Sequence, residues 1–190
     1  MARLRRRASL EIFGTKSIMN EQSTYYRSPI GLFRLRSDGE QLTGLDFCDE
    51  NEAYQDEHNP NWPLPEVRTE LDEYFAGVRK DFTVPVRFVG TGFQIRAWEA
   101  LKAIPFGETV SYQWQAQRIG SHPRAVGLAN GRNPIPIIVP CHRVIGANGS
   151  LIGYGGGIWR KQVLLNFEST VTTFGSCRIE ELLTAGKKVE

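Results

Sequence analysis

The chain has 190 residues, of which 41% are hydrophobic and 23% charged, and its net charge is +2. That length and composition exclude a wholly disordered chain and suit one large domain or two small ones with a real core. No apolar run approaches the roughly 20 residues of a membrane-spanning helix, so no membrane partner is expected, and the opening MARLRRRASLEIFG lacks the continuous apolar stretch of a secretory signal.

Residues 1–22 read as a flexible, polar lead-in carrying the arginine cluster Arg3 to Arg7. Strand-like runs follow at Thr24–Tyr26, Ile30–Leu35 and Leu42–Phe47, the last two joined by the turn Ser37-Asp38-Gly39-Glu40, which predicts a β-hairpin. The acidic, proline-rich stretch 49–64 reads as a loop. Val67, Leu71, Tyr74 and Phe75 recur at helical spacing over 66–76, where Gly77 stops the helix, and a short strand is expected around Phe82–Phe88. Residues 23–90 thus form a small α+β unit.

Thr91-Gly92 opens the second unit. Phe93, Ala97, Trp98, Leu101 and Ile104 share one face of a helix over 93–104. Ser111 is placed to cap a helix over 112–119 that Gly120 closes, and Pro123 starts a short helix over 123–131. Two helices joined by a short turn make a helix-turn-helix. The second helix carries small residues at Ala125, Gly127, Ala129 and Gly131. They suit either close approach to a DNA minor groove or close packing on the core, and spacing alone leaves both open. Charge favours a polyanionic partner for this half: residues 91–168 hold 8 basic and 3 acidic side chains, against 8 and 15 in residues 9–90.

The chemistry concentrates in NPIPIIVPCHRVIG, residues 133–146. The run Ile135–Pro140 reads as a stiff, buried approach strand that delivers Cys141 beside His142. A cysteine reacts as its thiolate and needs a base or positive charge nearby; His142 is the candidate base, and Glu168 the acid that would orient it. A buried cysteine beside an unrelated histidine is the bland alternative. Gly146–Gly149 signals a hairpin turn, Tyr154 lies in the glycine-rich loop 153–157, and residues 158–167 read as a closing helix that presents Glu168 near its end. Cys48, Cys141 and Cys177 form no CxxC pair, and the three histidines are scattered. The expectation is therefore no metal, no cofactor and a reducing compartment: the cytoplasm, or the nucleus of a eukaryotic source.

PCHRVIG, RAVGLANGRNP, GYGGG and the FQxxxWxAL helix together resemble the O6-alkylguanine-DNA alkyltransferase family of the bacterial type, strongly over 91–168, with weaker echoes in SPIG at 28–31 and LDEYFAG at 71–77. The resemblance implies an α+β fold: a small N-terminal α/β domain (23–90) and a mainly helical C-terminal domain (91–169) with a winged-helix-like helix-turn-helix; the tail, 170–190, lies beyond the resemblance and reads as a partly ordered C-terminal extension. It implies a single-turnover DNA repair methyltransferase that flips an alkylated guanine out of double-stranded DNA and moves the alkyl group from O6 to Cys141; O4-alkylthymine is a further candidate substrate. His142 and Glu168 match the groups that deprotonate Cys141 through a water. Asn133 matches the hinge between recognition helix and active site. Arg124 matches the finger that fills the gap in the duplex, and Tyr112 the residue that pushes the nucleotide out and bonds its ring. Tyr154, Gly155 and Val144 match the base pocket, with the Cys141 and Val144 carbonyls accepting from the guanine amino group. The family pattern implies a monomer and leaves cooperative loading on DNA open. Two departures stand out: the 112–124 segment is about two residues short, and Gln115 replaces a usual leucine. Beside this stands a sensor that binds alkylated bases without chemistry. A Cys–His hydrolase would need an oxyanion hole that nothing marks, and a transcription regulator would need a further domain.

Overall fold

The computed structural model describes residues 21–49 and 59–186. The arginine cluster and most of the lead-in, the acidic stretch 50–58 and the last four residues lie outside the described residues.

The fold is α+β, as expected. Strands β1 (Gln22–Ser28), β2 (Gly31–Ser37) and β3 (Leu42–Phe47) form an antiparallel meander in the order β1-β2-β3. Its turns are made by short polar side chains: Ser28 accepts from the Ile30 amide, and Asp38 accepts from the amides of Glu40 and Gln41. The sheet packs on helix α1 (Glu66–Phe75), which buries Val67, Leu71, Tyr74 and Phe75. Gly77 ends α1 at φ +75°, and a Cβ there would lie 2.5 Å from the Cys177 carbonyl oxygen, so only glycine fits both the turn and the neighbour.

The expected strand at 82–88 is a correction. It makes a single bridge, Leu42 to Val86, because Pro85 has no amide to donate and interrupts the ladder.

Helix α2 (Gly92–Leu101) starts in a capping box. Thr91 accepts from the Gln94 amide, and the Gln94 side chain accepts from the Thr91 amide; such a cap contributes about 1 kcal/mol. Strand β4 (Val110–Ser111) leads into α3 (Tyr112–Arg118), capped by Ser111, and a four-residue turn leads to α4 (Pro123–Asn130) with proline at its first position. Gln115, fully buried in α3, resolves its own polarity. Its amide donates to the Ala97 carbonyl (2.9 Å) and exchanges two hydrogen bonds with Asn130 (2.7 and 3.1 Å), tying α2, α3 and α4 together. Gln115→Leu is therefore expected to cost about 1–3 kcal/mol, because it strands the buried Asn130 amide. Urea denaturation checks this, and an unchanged midpoint would refute it.

The approach strand expected at 135–140 is a second correction. Pro134, Pro136 and Pro140 have no amide to donate to a ladder, and the chain winds into turns bonded from Val139 to Ile135 and from Cys141 to Val139. Ile137 sits at φ +75°, the only non-glycine there among the described residues; a branched side chain in that region stores on the order of 1–3 kcal/mol. A 3-10 turn at Cys141–Arg143 and strand β5 (Val144–Ile145) follow. The turn at 146–149 forms, but no hairpin does. β5 pairs in parallel with β4 instead, and the chain beyond the turn runs into the glycine loop.

Helix α5 (Ile158–Phe174) overruns the expected end at 167 by two turns, and α6 (Ile179–Gly186) follows it. Residues 169–174 include three threonines, poor helix formers. Each bonds its hydroxyl back to the carbonyl four residues earlier, while Val171 and Ile179 are fully buried in the shared core. Packing overrides propensity, and the extension belongs to the body of the protein.

Candidate active site

Cys141 opens the 3-10 turn directly after Pro140 and is 4% exposed. It lines a cavity of about 190 Å³ with Asn130, Gly131, Asn133, Pro136, Tyr154, Gly155 and Gly156 on one side and Leu45, Asp46 and Phe47 of β3 on the other. That volume is small beside the several hundred Å³ of a typical cofactor site and suits one flat ring system. A larger groove of about 630 Å³ behind the 137–140 loop is lined by neither Cys141 nor His142.

Burial pushes the Cys141 thiol up to about 11, against the pull of a hydrogen bond from Asn133 and the nearby Lys161 ammonium. Asn133 also clamps the loop: its amide donates to the Val139 carbonyl (2.7 Å), and its oxygen accepts from the Ile135 amide. A thiol so buried needs a base. His142 is fully buried, and burial holds its imidazole below the ordinary value, so it is neutral near pH 7. Its Nε2 faces Glu168 Oε1 at 2.8 Å.

Glu168 is fully buried in mid-α5 and surrounded by donors. Oε1 accepts from Tyr74 (2.8 Å) and Arg143 (3.0 Å) besides facing His142; Oε2 accepts from Arg143 Nε (2.9 Å) and the Gly107 amide (3.0 Å). Burial alone would raise its carboxyl, but His142 and Arg143 outweigh that and hold it far below the usual carboxylate range. With Glu168 ionised, Nε2 carries the imidazole proton. Nδ1 is then the bare lone-pair nitrogen, buried and without a hydrogen-bond partner in the protein. The arrangement can take a proton from a nearby thiol.

Other residues singled out in the sequence are spread more widely. Tyr154 walls the cavity, and its hydroxyl is buried and unpartnered. Tyr112 does not line the cavity; its hydroxyl donates to the Ile152 carbonyl (2.8 Å). Val144 is fully buried and its carbonyl accepts from Lys161 (2.6 Å). Arg124 stands exposed on the first turn of α4, away from the cavity. The small residues of α4 divide between the two readings: Ala129 packs inward, its carbonyl accepting from Trp98 Nε1, whereas Gly131 is exposed at the cavity rim and Ala125 and Gly127 are half-buried.

Residues 23–88 match the family described as 6-O-methylguanine DNA methyltransferase, ribonuclease-like domain, and residues 92–170 match its DNA binding domain. The chain belongs to the 6-O-methylguanine DNA methyltransferase family. The methylated-DNA–protein-cysteine methyltransferase of Mycobacterium leprae is 49% identical over 147 residues, spanning 74% of this chain and 88% of that protein. The constitutive enzyme of the same name from Bacillus subtilis is 44% identical over 154 residues, spanning 76% and 93%. The crystal structure of Mycobacterium tuberculosis OGT in complex with DNA superposes with a TM-score of 0.70 at 47% identity, spanning 78% of this chain and 92% of that one.

On this methyltransferase fold, two charged residues with no role in the sequence reading stand out. Arg143 bridges Glu168 and the Ile104 carbonyl. Lys161 is fully buried and donates to the carbonyls of Val144 and Ile152 (2.8 Å); burial lowers its ammonium to about 8. The sequence held a signal for Lys161, which shares one face of α5 with Leu164 and Glu168 and so cannot reach solvent when that face is buried.

Proposed function

We propose that this methyltransferase takes an alkyl group from the O6 atom of guanine in double-stranded DNA onto Cys141, once per molecule. The observation that carries this reading is the buried Cys141 thiol at the cavity, followed in the chain by His142 whose bare Nδ1 is backed by ionised Glu168. The cavity takes the alkylated base after it leaves the stack, at lower cost than for a well-paired base. Exposed Arg124 and the α4 surface supply the contacts to the opened duplex.

His142 Nδ1 receives the thiol proton through a water. The Cys141 sulfur attacks the alkyl carbon, a C–S bond forms as the carbon–O6 bond breaks, and the electron pair leaves with guanine. A proton is returned to guanine, so one thiol and one alkylated base become one thioether and one normal base. The balance needs no redox partner, and a thioether offers no easy route back. The protein is read as acting in the cytoplasm, as a monomer on DNA.

The test is to mix the protein with a duplex carrying one O6-methylguanine, record the intact mass and map the adduct by digestion. One methyl in place of one hydrogen on the Cys141 peptide, at one per chain, is the expected result. Binding without any mass gain would overturn it in favour of a sensor without chemistry.

A further inference from the structure

All the reacting groups above lie in residues 92–170, yet one contact to them comes from the other domain. Tyr74, on α1 of the ribonuclease-like domain and fully buried, donates its hydroxyl to Glu168 Oε1 at 2.8 Å, across 94 residues of sequence. Its ring is an apolar anchor, edge-on or tilted against Phe75, Phe82, Phe106 and Phe167 at centroid distances of 5.3 to 6.0 Å. Packing explains the ring and leaves the hydroxyl unexplained.

Oε1 also faces His142 Nε2 at 2.8 Å and Arg143 at 3.0 Å. A carboxylate oxygen has about two lone-pair sites, so three donors compete for it. We propose that Tyr74 is a positioning residue for the Cys141–His142 relay: by sharing Glu168 Oε1, its hydroxyl limits how strongly the carboxylate holds the imidazolium, and so sets the basicity of His142. The inference rests on the alkyl-transfer reading above and names its regulator, the N-terminal domain.

The charged and titratable groups around this centre are few. α5 contributes Glu168 and Lys161, the 3-10 turn contributes Cys141 and Arg143, the glycine loop contributes Tyr154, and α1 contributes Tyr74. Lys161 and Arg143 oppose a proton on His142, and Glu168 is the anion that favours one. Any group that withdraws Oε1 from the imidazole therefore acts on its main support. Burial and the Glu168 charge both raise the Tyr74 phenol well above its usual value, so it stays a donor throughout the pH range of an assay.

The experiment uses the full chain and two readouts. Histidine-selective ¹⁵N NMR titrates His142 directly, without DNA, and the pH profile of the transfer rate to an O6-methylguanine duplex gives its acid limb. In Tyr74→Phe the ring packing remains and Oε1 is left to His142 and Arg143 alone. Both midpoints should rise by about half a pH unit, a threefold gain in proton affinity. Incorporating 3,5-difluorotyrosine at position 74, which keeps the shape and strengthens the donor, should move both down; this arm decides the matter should the phenylalanine variant fail to fold. Phe75→Leu, which weakens the same helix without touching the carboxylate, should lower thermal stability and leave the midpoints in place. Unmoved midpoints in folded Tyr74 variants would overturn the proposal. A wild-type chain that never alkylates Cys141 would instead remove the transfer reading, and the NMR midpoint would still report on Tyr74.

Discussion

Glu168→Gln is expected to lose about 3–5 kcal/mol of stability and all measurable alkyl transfer. The carboxylate is fully buried among five donors, two of them from the Arg143 guanidinium, itself 5% exposed. Glutamine has nearly the same shape but turns an NH2 group toward donors and leaves the Arg143 charge without its counter-ion; breaking one side of a buried pair costs about that much. Since a domain of this size has only about 5–15 kcal/mol to lose, the variant should be marginal at 37 °C. The acid behaviour follows from the same group. Its folded-state value is depressed, so its contribution is present above the unfolded carboxyl value near about 4.3 and is lost as pH falls below that, toward the depressed folded value. Wild-type stability should therefore drop on acidification below about pH 5, and the variant, already without this contribution, should show a flatter slope there. Urea titrations at pH 7 and pH 4 read both effects. A loss under 1 kcal/mol at pH 7 would mean that Arg143 finds other partners.

How much of this was legible beforehand depends on the range of the interaction. Features set within a few residues read well: the Ser111 cap, the Gly120 stop and the Pro123 start mark the helix-turn-helix, because caps and φ preferences are local. The expected strands at 82–88 and 135–140 fail for a local reason too. Pro85 lies inside the first run and Pro136 and Pro140 inside the second, and their missing amides prevent a ladder. The end of α5 is not set locally: its three threonines discourage a helix, while Val171 draws it on through tertiary burial. Within the site, Cys141 and His142 are adjacent in the chain, and Glu168 lies at the end of the expected closing helix, within reach of a local reading. Tyr74 stayed hidden inside an ordinary apolar helix face. Its ring obeys the periodicity that predicts a core residue, and nothing in that pattern tells where its hydroxyl goes. Gln115 shows the converse: a polar residue on a buried face looks like a defect until Asn130, 15 residues on, supplies its partner.

Lys161→Met should slow transfer at pH 7 by about 100-fold or more while changing stability by no more than about 1–2 kcal/mol. The two effects separate because the ammonium burdens the fold and serves the site. Burying it opposes folding, as its value lowered to about 8 records, and replacing a buried charge by an apolar chain of similar length is often neutral. Methionine leaves the Val144 carbonyl without this donor, whereas the Ile152 carbonyl keeps the Tyr112 hydroxyl. The kinetic loss is not offset in that way. Lys161 is the cation that draws the Cys141 thiol down from where burial would put it, and each unit of thiol acidity lost costs about tenfold in thiolate. The released Val144 directly follows the Cys141–Arg143 turn, and Ile152 lies two residues before Tyr154 of the cavity wall, so loosening them adds a further loss of alignment. The pH signature has a definite sign. Between about 8 and the unfolded lysine value near about 10.4, the unfolded chain holds a proton that the folded chain has shed, so wild-type stability gains with rising pH in that window and the methionine variant does not. Transfer rates at single-turnover excess of DNA, with urea midpoints at pH 7 and pH 9.5, test the pair. A variant that reacts within a few-fold of wild type would show that Lys161 serves only to satisfy two carbonyls, and that His142 alone activates the thiol.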